Sequence, residues 1–342
     1  MTSSFLHTEP LPPKSASGLV AEVYRQLGRD FGIDEPATFV VLSSAPAILA
    51  PTWALMRESL LAGPGDRTGK ELVALGVSQA NRCPFCVTAH TVLLHAGGDH
   101  GLAERVAGGG TPEDPGQARL VEWGRRSRTP GGVPEPLPFP REQAPAYLGT
   151  ALSFHFINRI TSALLKETVL PGGAERFRAV RRLAGRSLAP SLRREPVPGA
   201  SLALLDGAPA GPPPAWADGG PVGPAYAALR EAALMGAGLL DADDQHLVRR
   251  ALRDWDGGHP SLTRQTFPGR AERPGARLAL LAALAPYRIT AEDVAAWRRP
   301  EHSDHCLVHL VAYGAFLAVD RIESAWGARG VGVGHRGGGA AT

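Results

Sequence analysis

Cysteine is scarce in this chain: three among 342 residues, far too few for a secreted disulfide scaffold, so a reducing cytoplasm is the expected setting. Neither sign of charge is in surplus. The formal net charge is +3 and the arginines are interleaved with acids along amphipathic stretches, which leaves no footprint for nucleic acid or an anionic membrane surface. No run reaches the roughly 18 consecutive apolar residues of a membrane helix. The opening MTSSFLHTEPLPPK also lacks the charged start and apolar stretch of a secretory signal. The polar/apolar alternation of half-buried strands is missing as well, and the expected fold is all-α.

What the chain does hold is apolar content, 44% of residues, enough to bury a core for two domains or two repeats. Its chemistry gathers in one stretch, ELVALGVSQANRCPFCVTAHTVLLH, from Glu71 to His95. Two of the three cysteines, Cys83 and Cys86, stand there as Cys-Pro-Phe-Cys, with His90 four residues after the second thiol. Thiols spaced in this way at a helix start can close a small ring without moving distant backbone. Pro84 suits the first turn, where its missing N–H costs nothing, and the helix N-terminus favours thiolate over thiol. Cys83, Cys86 and His90 share one helical face. A second helix, 70–79, would pack Leu72, Val73, Leu75 and Val77 and bring Glu71 against His90, giving nucleophile, base and orienting carboxylate. Two blander readings stay open here: a zinc half-site built on Cys-x2-Cys-x3-His, and a pair of inert buried thiols.

The pattern Glu, eleven residues, Cys, two residues, Cys, three residues, His resembles the thiol-active branch of the alkyl hydroperoxidase D and carboxymuconolactone decarboxylase-like superfamily. The resemblance implies an all-helical alkyl hydroperoxidase D-like fold that commonly oligomerises. It also implies that Cys86 is the peroxidatic thiol, Cys83 the resolving thiol, and Glu71 with His90 a proton relay. No cofactor or metal is implied. The implied partners are a hydroperoxide substrate and a thiol or dithiol reductant. Phe85 stands where some peroxidases of the family place a histidine. A cofactor-free decarboxylase or proton-transfer enzyme of the same superfamily, and a non-enzymatic thiol redox sensor, are the alternative functions.

Along the chain, residues 1–14 are expected to be disordered and 15–185 to form the domain that carries the thiols. Helices are expected over 17–31, 45–62, 112–128 and 142–167. His155, set among Phe154, Phe156 and Ile157, reads as a packed core histidine; the alternative has it reach the thiols with Asn158 and Arg159. His95 reads as packed on its helix. Residues 186–224, with GAPAGPPPAWADGGPVGP, read as an irregular surface linker. Beyond them, 225–326 echoes the first half: YAALREAALMGAG repeats WALMRESLLAGPG, and FLAVDRIESAW repeats HFINRITSAL. In this register His246 stands opposite Glu71, Gly258 opposite Cys83, Ser261 opposite Cys86 and Gln265 opposite His90, a helical framework without the thiols. Cys306 lies among His302, His305 and His309, read as a packed or solvated face rather than a metal site. A Gly-rich tail, 327–342, is expected to be disordered.

Overall fold

The computed structural model describes residues 4–133, 136–168 and 171–327. Among them the chain is helical, with no strand and one isolated bridge between Phe5 and Leu165. The α-helices are α1 (Gly18–Gln26), α2 (Ala37–Leu42), α3 (Pro46–Met56), α4 (Arg67–Ala80), α5 (Pro84–Ala96), α6 (His100–Ala107) and α7 (Pro115–Arg126). They continue as α8 (Ala144–Leu164), α9 (Arg178–Leu192), α10 (Val222–Leu234), α11 (Ala242–Arg253), α12 (Pro274–Leu284), α13 (Ala291–Trp297) and α14 (Asp304–Gly327). The starts follow local chemistry. Asp66, Asp99, Asp114 and Asp241 each accept a backbone N–H of the first turn, and Thr290 with Asp293 forms a capping box.

Among the described residues the fold is all-α, with two halves packed on each other. Helix α3 lies against its echo α10, and α8 against its echo α14, so like elements meet across the centre. α14 is long and apolar enough to cross a membrane, yet 72% of its most apolar window is buried inside the protein. It is a core helix. In the first half α4 and α7 approach closely at Gly76 and Gly124, where a methyl group on either would collide with the facing backbone.

Three expectations differ from the structure. The segment expected to be disordered at 1–14 is tied down over its described part: the Leu6 N–H donates to Leu164 O, Lys166 N–H to Ser4 O, and Glu9 N–H to the Asp304 carboxylate. The stretch from 186 is still helix, since α9 runs to Leu192 and packs on α5. Further along it, the buried Glu58 carboxylate accepts from Gly199 N–H at 2.7 Å and from the Ser201 N–H and hydroxyl, while Trp216 is buried, so much of the supposed surface linker is anchored. Finally, the second half does not keep the whole helical framework. Gly258, Ser261 and Gln265 lie in 254–273, which contains no helix, as befits a segment carrying Gly257-Gly258, Pro260 and Pro268. The expected disordered tail lies, from residue 328, outside the described residues.

Candidate active site

Helix α4 begins where Asp66 accepts from Gly69 N–H at 2.8 Å, which sets Arg67 and Glu71 one turn apart on its first coils. The Arg67 guanidinium donates to Glu71 Oε1 at 2.8 and 2.7 Å. The other oxygen, Oε2, takes the His90 Nδ1 proton at 2.6 Å. Burial by itself would raise the Glu71 carboxyl, but Arg67 and the His90 hydrogen bond outweigh it and hold the group below the usual carboxylate range. With Nδ1 committed, Nε2 is the nitrogen left to exchange a proton. The His90 ring is 3% exposed and packs edge-on to Phe154 of α8, 4.4 Å between centroids.

Cys83 is the N-cap of α5 and Pro84 its first helical residue, while Arg82 before them adopts a positive φ of 54°. Cys86 follows one turn later, and the two sulfurs are 2.7 Å apart, both free thiols and both buried. Their environments differ. Burial pushes the Cys83 thiol up, but the Cys86 thiol, the Ser162 hydroxyl and the Cys86 backbone N–H together bring it below the ordinary cysteine value. Burial and the neighbouring Cys83 sulfur push Cys86 well above it, against the Thr161 hydroxyl alone. The two thiols are thus pushed in opposite directions, Cys83 down and Cys86 up. Thr161 also meets the Thr38 hydroxyl at 3.2 Å.

Two cavities flank the pair. One of about 390 Å³ is bounded by Cys86 and His90 together with apolar side chains such as Phe39, Leu60 and Phe154, and α9 covers it through Ala184 and Leu188. The other, about 330 Å³, touches Cys83 and is walled by Leu6, Leu165, Tyr287 and Ile289, with Lys166 and Glu167 beside them. A further depression, about 900 Å³ between Pro112 and Pro140, touches none of these groups.

All four expected residues, Glu71, Cys83, Cys86 and His90, are thus brought together. The zinc alternative is not: among the described residues no three histidine, cysteine or carboxylate side chains are placed to hold a metal. His155 is fully buried but away from both cavities, with Asn81 Nδ2 at 3.1 Å and the Ser127 hydroxyl at 2.8 Å, and burial holds it well below the ordinary histidine range. His95 packs as expected, its two nitrogens meeting His100 and Glu104. His302 stacks on Trp297, and His305 meets Ser44 O. Sequence reasoning missed Arg67, Thr38, Thr161 and Ser162. The first is signalled by the i,i+4 spacing to Glu71; the others come from distant helices and carry no local mark.

A model of the carboxymuconolactone decarboxylase family matches residues 48–100, the span that holds all four site residues. A Mycobacterium tuberculosis protein named alkyl hydroperoxide reductase is 40% identical over 332 residues, covering 94% of this chain and 95% of that protein.

Proposed function

The chain belongs to the carboxymuconolactone decarboxylase and alkyl hydroperoxidase D-like superfamily, and from that premise we propose that it reduces organic hydroperoxides through the Cys83–Cys86 pair. The observation that carries this reading is a Glu71-held His90 lining the same apolar cavity as Cys86, whose sulfur lies 2.7 Å from a second thiol. Two adjacent sulfurs of unequal acidity can store and release a disulfide, and a fixed imidazole can move the protons.

Cys86 is the attacking thiol because it lines the apolar cavity. Its proton passes to His90 Nε2. The Cys86 thiolate then takes the distal peroxide oxygen, the O–O bond breaks, and the alkoxide leaves as alcohol with a proton returned through His90. The sulfenic acid is attacked by Cys83, water leaves, and the disulfide forms. A thiol or dithiol donor restores both thiols. Phe85 supplies no proton between them, so the relay rests on His90 alone. A second reading has Cys83 attack first, and its lower pKa favours that order. The second half, 225–326, serves in this proposal as a degenerate copy that supports the first, and the setting is a reducing cytoplasm.

The test is sulfenic acid trapping after one equivalent of cumene hydroperoxide. Cys83→Ser should accumulate a trapped sulfenic acid at Cys86, whereas Cys86→Ser should consume almost no peroxide. Trapping at Cys83 in Cys86→Ser, at the wild-type rate, would establish the second order of attack. Full peroxide consumption by the double variant would discard thiol chemistry altogether.

A further inference from the structure

The two cavities meet the thiol pair from different sides. The apolar one includes Cys86 and His90 but not Cys83; the other includes Cys83 but neither Cys86 nor His90. Among the described residues one side chain lines both, Phe85, the residue between Pro84 and Cys86. We propose that oxidant and reductant use separate entrances, the hydroperoxide reaching Cys86 through the apolar cavity and a dithiol reaching Cys83 through the second cleft, with Phe85 as the partition. The proposal rests on the peroxidase reading and goes beyond it by giving the reductant its own binding site.

The chemistry of each lining suits its visitor. The apolar cavity gives an alkyl hydroperoxide a dry surface for its carbon skeleton. Beside Leu165 and Ile289 the second cleft carries Thr161, Ser162, Lys166 and Glu167, so a slender polar dithiol meets polar groups there, where a bulky hydrocarbon gains little. Attack there is on the Cys83 sulfur. One donor thiolate bonds to Cys83 Sγ, the Cys83–Cys86 bond breaks, and Cys86 leaves as thiolate and takes up a proton. The donor's second thiol then displaces Cys83 from the mixed disulfide. Two electrons and two protons have passed from dithiol to protein, and the donor departs as its own disulfide. Separate entrances also mean that alcohol still in the apolar cavity does not block reduction.

Phe85 is a positioning residue on this account, and the pattern of inhibition is its signature. The disulfide is prepared with diamide, so the reductant side is examined whether or not peroxide oxidises the pair. Its reduction by dithiothreitol is followed by stopped flow with and without saturating 2-phenylpropan-2-ol, an alcohol that fills the apolar cavity. In the wild-type protein the alcohol should leave the reduction rate within about twofold, while slowing oxidation of the reduced pair by cumene hydroperoxide. In Phe85→Ala it should slow both. Ala184→Phe, which narrows the apolar cavity, should slow only peroxide oxidation, by about tenfold, and Ile289→Trp, which narrows the cleft, only reduction by a similar factor. Equal slowing of both half-reactions by the alcohol in the wild type, or by either cavity variant in an otherwise native fold, would overturn the two entrances. Failure of peroxide to oxidise the pair, with the diamide-made disulfide still reduced in this pattern, would instead remove the peroxidase reading and leave the dithiol entrance standing.

Discussion

Glu71 is a buried carboxylate whose proposed part in the chemistry is tied to its place in the fold. Its carboxylate is buried, so without Arg67 and His90 it would be costly to keep charged; with them it fixes the imidazole and its tautomer. Glu71→Gln keeps the shape and removes the charge, and the peroxide rate should fall by about 10²-fold. A change of less than twofold in a stopped-flow assay would show that the charge is not used. The same residue carries a pH signature. Because its folded pKa lies below the ordinary value, its contribution to stability is complete above the ordinary carboxyl pKa of about 4.3 and is lost as pH falls through the depressed one. The melting-temperature gap between wild type and Glu71→Gln should accordingly narrow on acidification below about pH 4.

Helix α9 is the element that most changes the reading of the site. Its sequence, RAVRRLAGRSLAPSL, is dominated by arginine and interrupted by Pro190, which disguises it as loop, but its apolar side closes the cavity over Cys86. It is held at its start by Arg181, which pairs with Glu104 and also donates to the Glu175 carbonyl at 2.7 Å. Arg181→Leu should raise hydrogen exchange across 178–192 well before it affects α8. The loss in overall stability should stay near or below about 1 kcal/mol, because both partners are partly exposed. Exchange unchanged in α9 would mean that its packing on α5 suffices to hold it. The short helices α2 and α6 escape sequence reading for a related reason: each is too brief to display a period.

At the scale of the molecule, the two halves are locked behind the site by buried cations. Arg128 donates to Gly257 O at 2.7 Å, to Gly258 O and Leu284 O at 3.2 Å, and to Asn81 Oδ1 at 2.7 Å, just ahead of the thiol helix. Burial pulls its pKa down to about 10, which leaves it charged at neutral pH. Arg159 donates to Ala283 O at 2.8 Å, and both guanidinium groups lie over the Trp255 ring. His259 completes the seam by meeting Ala80 O at 2.8 Å. The helix-free segment of the second half has thus become a clasp on the first. Arg128→Met should destabilise by about 3 kcal/mol or more, since several buried carbonyls lose a charged donor. Arg128→Lys should recover only part, because an ammonium cannot fork to four acceptors. Urea unfolding of the three proteins would measure this, and a loss under about 1 kcal/mol for Met would show the clasp to be incidental.

The helical class, the thiol helix and the face shared by Cys83, Cys86 and His90 were legible in the residues alone, because capping, period and the spacing of Glu71, Cys83, Cys86 and His90 are local facts set within a few turns. It also carried the echo between the halves, since apolar faces that must pack alike keep alike residues. Only the tertiary structure decided which cavity each sulfur meets, that α9 roofs one of them, that Thr161 and Ser162 flank the thiols, and that 254–273 is a clasp rather than a vacant thiol helix. Those outcomes depend on surfaces brought together from residues far apart in the chain, where burial and hydrogen-bond partners are set by packing and leave no period to read.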